Sequence, residues 1–209
     1  MKVPQVSLID YGVGNLWSVV SAIKYLGAKV DLVSDPNKIA SSSVLLLPGI
    51  GSFRKGMEDL KNTGIDKAIL HAVQNNNAKI LGICMGMQLM GSYGSEDGGS
   101  EGLALIPNRV ERFNKDDLHG NKIPHVGFNV VDFSERKGLF KGLPKSSDFY
   151  FTHSYYLKNY NVENVITETM YDLNFVSSIN KRNIYGVQFH PEKSQSNGLK
   201  VIKNFYERC

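Results

Sequence analysis

The first half of the chain alternates short apolar runs with segments of helical period, and no other feature limits the fold as strongly. Gln5–Ile9 (QVSLI) has the length and composition of a strand. Gly12–Gly14 follows as a glycine-rich turn. Asn15–Leu26 then places Leu16, Val19, Val20, Ile23 and Leu26 on one helical face, and Gly27 is the expected stop. Lys29–Val33 and Val44–Leu47 read as strands, the second closing on Pro48-Gly49. Gly56–Leu60 and Ile65–Asn75 have helical character. Lys79–Ile83 is a further apolar strand, with a helix expected from about Met85. Such alternation buries its apolar faces by forming a parallel sheet with helices on both sides. From Gly102 to Ile184 the pattern shifts to short period-two segments, including Phe128–Phe133, Asp148–Phe151, Val165–Glu168 and Phe175–Ile179. Tyr185–Phe189 reads as a last strand and Asn197–Arg208 as a last helix. The expectation is one three-layer α/β domain over residues 1–209, with a parallel central sheet and an antiparallel extension.

Bulk properties exclude several classes of function. Net charge is +4, with no run of five or six like charges and no basic stripe interleaved with aromatics, so nucleic-acid binding has little support. No apolar stretch is long enough to span a bilayer, and Met1–Leu8 lacks the apolar core of a signal peptide. The two cysteines, Cys84 and Cys209, do not form a disulfide framework. These features predict a cytoplasmic protein with free thiols. No Cys/His pair has metal-ligand spacing, and neither metal nor cofactor is called for.

Gly82-Ile83-Cys84-Met85-Gly86 is a G-x-nucleophile-x-G segment where a strand gives way to a helix. The sharp turn puts the nucleophile in a strained conformation, and flanking glycines keep helix and strand from clashing. A helix N-terminus there favours thiolate over thiol, and the Met85 N–H is aimed to serve an oxyanion. A cysteine nucleophile needs a base. His190 lies just past a strand end in Tyr185-Gly-Val-Gln-Phe-His190-Pro191-Glu192. Parallel strands present their C-terminal ends on one edge, so Cys84 and His190 can meet although far apart in sequence. Glu192 is placed to orient the imidazole, as the third member of a triad. His71, His119 and His125 have no comparable context and read as structural or solvated. Trp17, on the first helix, reads as a packing residue.

Two segments, Gly82-Ile-Cys-Met-Gly-Met-Gln88 and Gly186-Val-Gln-Phe-His-Pro-Glu192, resemble the class I, triad-type glutamine amidotransferases. Further segments are similar to one branch of that family, the glutaminase subunits of imidazole glycerol phosphate synthase from histidine biosynthesis. They are Ile9–Asn15, Leu47–Phe53, Pro124–Asn129, His153–Tyr156 and Lys193-Ser194. The resemblance spans nearly the whole chain and implies the three-layer, flavodoxin-like fold of that family. It implies Cys84 as nucleophile, His190 as general base and acid, and Glu192 as the orienting carboxylate. Gln88 and Glu96 would bind substrate L-glutamine, with Ser154 and Tyr155 holding its α-amino and carboxylate ends through backbone contacts. Gly49-Ile50-Gly51 would form the oxyanion strand, with Met85 as the second donor. In this branch that strand is expected to flip a peptide, which Gly49 and Gly51 make cheap. Gly12, Val13, Gly14, Asn15, Tyr150 and Lys193 would face the partner and the ammonia exit.

The partner implied is the cyclase subunit of imidazole glycerol phosphate synthase, a (β/α)8 barrel forming a heterodimer with this chain. Ammonia must reach it without becoming ammonium, hence a tunnel. The branch usually carries a tryptophan where this chain has Phe128, so an aromatic is kept while an indole N–H is lost. Paralogues that feed ammonia to cyclase-like partners in surface-sugar biosynthesis share the same catalytic motifs, and the motifs do not separate the two pathways. Two other classes stay open on the residues alone: a non-catalytic subunit on the same fold, and a cysteine hydrolase for another small amide. The presence of Cys84, Gln88, His190 and Glu192 argues against the first. Gln88, Glu96 and His153–Tyr156 argue against the second.

Overall fold

A computed structural model describes residues 3–12, 15–159 and 165–209. The chain runs β1 (Gln5–Ile9), α1 (Leu16–Tyr25), β2 (Lys29–Val33), α2 (Pro36–Ser41), β3 (Val44–Leu47), α3 (Phe53–Thr63), α4 (Ile65–Gln74), β4 (Lys79–Ile83) and α5 (Met85–Leu89). It continues through β5 (Tyr93–Gly94), β6 (Ser100–Glu101), β7 (Arg109–Arg112), β8 (His125–Asp132), β9 (Ser146–His153) and β10 (Tyr155–Leu157). It ends with β11 (Val165–Tyr171), β12 (Leu173–Lys181), β13 (Ile184–Val187) and α6 (Gln195–Arg208). The main sheet has the order β11-β12-β13-β4-β3-β1-β2. From β13 to β2 its strands are parallel, and β11 and β12 extend it antiparallel.

The central parallel strands β3 and β4 are apolar on both sides because both of their faces are covered. Leu8, Leu46, Leu81 and Ile83 point into one core, where α1 contributes Val19 and Ile23 and α6 contributes Val201 and Phe205. Ile9, Leu45, Leu47 and Ile80 point into the other, against Ile39, Met57, Leu60 and Ile69 of α2, α3 and α4. Each fully buried aliphatic side chain is worth roughly 1.5–3 kcal/mol of transfer free energy. The three-layer α/β architecture expected above is therefore formed. Among the described residues no helix is long and apolar enough to cross a membrane.

Several boundaries differ from the sequence reading. α2 was not foreseen, although its signal is present: Asp35 caps it by accepting from Asn37 N–H, and Pro36 occupies its first turn. α3 is longer than Gly56–Leu60 because Ser52 caps it upstream and Gly64, at φ 72°, ends it. The helix after Cys84 lasts only Met85–Leu89. The strand before His190 ends at Val187, not Phe189. Strands β5, β6, β7 and β10 form a separate four-stranded sheet, and β8 pairs with β9. Pieces of two to four residues carry too little period to be read locally. Trp17 is a correction: its side chain is 70% exposed, on the outer face of α1, so it does not pack into the core.

Candidate active site

The junction after β4 is shaped by close backbone approach. Cys84 sits at φ 53°, ψ −114°, a conformation costly for a residue with a side chain. A Cβ on Gly86 would lie 1.8 Å from the Leu47 carbonyl oxygen, and one on Gly82 2.6 Å from the Met87 nitrogen. Both glycines of the motif are thus steric requirements of one crossing, where α5 leaves β4 between β3 and β13. Gly186 on β13 serves the same crossing, since Met87 packs where its side chain would be.

β13 lies beside β4, with Val187 opposite Ile83, so the two chains leave the sheet side by side. Cys84 N–H donates to Val187 C=O at 2.8 Å. Beyond the strand, Phe189 stacks on Phe149 with ring centroids 4.0 Å apart. His190 N–H donates to Tyr150 C=O at 2.8 Å. Ser194 ties the turn together: its hydroxyl donates to His190 C=O and accepts from Tyr150 N–H. These contacts hold His190 over Cys84, and both side chains are buried.

His190 Nδ1 and Glu192 Oε1 are 2.8 Å apart. The carboxylate accepts, so Nδ1 carries a proton and Nε2 is the end left to work. Burial lowers the affinity of the His190 ring for a second proton, but the Cys84 sulfur and Glu192 carboxylate outweigh it and raise its pKa to about 10. A ring that is protonated at neutral pH can give a proton to a leaving group and then serve as base once that proton is gone. His190 Nε2 and Glu192 Oε2 are buried without a hydrogen-bond partner. Unpartnered buried polar atoms of this kind mark a place meant for another molecule.

A cleft of about 340 Å³ opens on Cys84 and His190 and is lined also by Ile50, Gly51, Met85, Gln88, Glu96, Ser154 and Tyr155. The structure thus gathers most of the residues expected to bind substrate. Glu96 is held by the Phe53 N–H, at 2.6 Å from its Oε2. Burial, working against that hydrogen bond, pushes its carboxyl above the ordinary pKa. Gln88 Nε2 donates to Tyr155 C=O at 2.8 Å and to Gln188 Oε1 at 3.0 Å. Both amide protons are spent, so Gln88 offers the cleft only an acceptor. Tyr155 C=O also accepts from His153 Nδ1 at 2.8 Å, and Ser154 C=O accepts from Phe113 N–H. Gln88 Oε1 and Glu96 are acceptors in the cleft open to an α-ammonium group. The Tyr155 carbonyl already carries two hydrogen bonds within the protein.

Gly49 lines a second, small void of about 20 Å³ behind His190, with Asn15, Glu192 and Lys193. That is room for one water-sized molecule. Gly51 has φ 99°, open to glycine alone at little cost. Tyr11 O–H donates to Pro48 C=O at 3.0 Å and pins the start of this segment. Lys193 Nζ stands 5.7 Å from the Tyr150 ring centre. Val13 and Gly14 lie outside the described residues. Gln188, Tyr11 and the buried His125–His153 pair were not singled out from sequence as parts of the site. Their role comes from contacts between distant segments, and no local pattern announces it.

The fold and this geometry define a class of protein, and comparison agrees. The class-I glutamine amidotransferase family model matches residues 7–209, and the chain belongs to that family. It is 44% identical to the imidazole glycerol phosphate synthase subunit HisH of Moorella thermoacetica over 97% of this chain and 94% of that one. Identity to the HisH subunit of Chlorobium chlorochromatii is also 44%, over 97% of this chain and 99% of that one. Within the family the chain thus falls in the group of HisH subunits. A solved glutamine amidotransferase at 17% identity superposes with a TM-score of 0.74 over 96% of both chains, which shows the common fold.

Proposed function

We propose that this chain is the glutaminase subunit of an imidazole glycerol phosphate synthase, hydrolysing L-glutamine to glutamate and ammonia for a cyclase partner in histidine biosynthesis. The observation that carries the chemistry is the positive-φ Cys84 under a buried His190–Glu192 pair, at the head of a cleft whose free acceptors suit an α-amino group. The HisH relatives, matched over nearly their whole length, carry the pathway. The match over residues 7–209 supports reading 1–209 as one domain.

In this reading the Cys84 thiolate adds to the side-chain carbonyl carbon of glutamine. The developing oxyanion is met by Met85 N–H and, after a peptide rotation, by the Gly49–Gly51 segment. His190 Nε2–H protonates the nitrogen, the C–N bond breaks, and ammonia leaves a glutamyl thioester. Neutral His190 then takes a proton from water, hydroxide attacks the thioester, and glutamate departs as Cys84 is restored. Ammonia enters the void lined by Asn15, Glu192 and Lys193 and passes to a (β/α)8-barrel cyclase in a cytoplasmic heterodimer. The outer face of β8 suits such a partner. Val126, Phe128 and Val130 are exposed there beside Met170, and Phe128 meets Tyr150 edge-on at 5.6 Å. An exposed apolar stripe adjoining Tyr150 and Lys193 is where a partner would seal the exit from water.

The test is glutamate release by the purified chain, alone and with the histidine-pathway cyclase and its nucleotide ligand. Strong stimulation by the loaded partner is the expected result. Absence of stimulation, with Cys84 still labelled by a glutamine-like affinity reagent, would remove the pathway assignment and leave a surface-sugar partner in its place.

Two substitutions probe particular residues. Glu192→Gln should lower glutamine-dependent kcat by roughly 10²- to 10⁴-fold without abolishing it. One of the anions holding the His190 proton is then gone, so the alkaline limb of the pH–rate profile should move to lower pH. An unchanged limb would remove Glu192 from the triad. Lys193→Ala should let glutamine hydrolysis outrun product formation in the complex. A glutamate-to-product ratio that stays at one would show that Lys193 does not guard the exit.

A further inference from the structure

We infer that Gln188 is a positioning residue for the nucleophile: its buried side-chain amide is locked so that an N–H donor, and not an acceptor, faces Cys84 Sγ. The inference rests on the glutaminase reading above.

Gln188 is fully buried just beyond the end of β13, and its backbone N–H donates to Ser177 C=O at 2.9 Å. Its side chain has two ends of nearly equal size and opposite polarity, so its neighbours decide which end meets the sulfur. The deciding group is the backbone carbonyl of Tyr155, which can only accept. Gln88 lies 2.8 Å from it and must therefore present its NH2 group there. The same nitrogen lies 3.0 Å from the Gln188 amide and, as a donor, requires an oxygen in return. With Oε1 so engaged, Nε2 of Gln188 is left facing Cys84 Sγ, at 3.6 Å. A fixed carbonyl thus sets the polarity at the nucleophile through two amides in series.

The consequence is a bias between the two forms of the sulfur. Thr152 C=O lies 3.9 Å from Sγ and can accept from the neutral thiol. The Gln188 N–H gains little from a neutral sulfur, but forms a charge-assisted hydrogen bond with an anionic one, in a site shielded from water. Gln188 thereby holds the attacking form in place while Gln88 keeps its acceptor turned to the substrate.

Gln188→Met is near in volume and cannot donate to the sulfur. Gln188→Glu keeps the shape and turns an acceptor toward it. Alkylation of Cys84 by iodoacetamide, followed by mass spectrometry over a pH series in the complete chain, makes no use of the glutamine-binding groups. The expected result is roughly tenfold slower alkylation of Q188M than of wild type at neutral pH. Q188E should be slower still. A Q188M profile equal to wild type would overturn the inference. So would faster alkylation at every pH, which is what a merely structural role predicts once packing loosens. If thermal melting shows Q188M unfolded, Gln188→Asn keeps a buried amide but withdraws it from the sulfur, and the same slowing is expected. Wild-type Cys84 that reacts no faster than Cys209 and gains no protection from glutamine would instead sink the glutaminase reading itself.

Discussion

Cys84→Ala should reduce glutamine-dependent turnover of the complex by about 10⁶-fold, to the limit of detection, because among the described residues no second thiol lines the cleft to form the thioester. Turnover supplied with ammonium salt should persist, since the cyclase then receives its nitrogen from solution. The fold should tolerate the change. Alanine keeps the Cβ already accommodated at φ 53°, and the lost sulfur meets Thr152 C=O, the Gln188 amide and the His190 ring. Both activities are measured in one coupled assay, with product formation followed under glutamine and under ammonium. Loss of both would mean that Cys84 supports the fold or the interface, and the nucleophile would have to be sought elsewhere. Retention of both would leave the cleft without a function.

Gly86→Ala should be among the most damaging single methyl additions to the described residues. Its Cβ would stand 1.8 Å from a backbone oxygen of β3, and backbone cannot swing aside as a side-chain tip can. Relieving the overlap means moving α5 away from the sheet, at a cost of about 3 kcal/mol or more. For a chain of this size that is a fall in melting temperature of roughly 6–12 °C. Glutaminase activity should fall further than stability, because Met85 N–H and Cys84 Sγ move with α5. Gly120→Ala is the control: nothing lies within 4 Å of its added methyl, so its melting temperature should stay near that of wild type. A G86A protein with wild-type melting and activity would show that the crossing of α5 over β3 is looser than drawn here.

The glycine spacing also marks what could be read locally. Gly82 and Gly86 flank Cys84 within one turn, so a five-residue window holds the steric problem and its solution together. The central parallel strands were legible for a related reason: a strand buried on both faces is apolar along its length, as Val44–Leu47 and the Ile80–Ile83 part of β4 are. The short strands Tyr93–Gly94 and Ser100–Glu101 have no such mark. They exist because the chain around them is held by α3, whose N-terminal end is pinned by Glu96 and Asp97. Trp17 shows the reverse error. Its place on an amphipathic helix suggested burial, but the helix turns that side to solvent.

Sequence alone determined the alternating α/β order, the elbow at Cys84, and the His-Pro-Glu segment that holds His190 and Glu192 together. In each case residues that act together lie within a few positions of one another, so local sterics and hydrogen bonding suffice to link them. Only the tertiary structure decided what faces what. The pairing of Val187 with Ile83 puts His190 over Cys84. The contacts of Gln88 with Tyr155 and Gln188 leave one acceptor for substrate and one donor for the sulfur. Those groups come from β10, from α5 and from the end of β13. Their polarity is fixed only when three distant segments close on one buried point, where a donor and an acceptor cannot be exchanged without leaving a group unpaired.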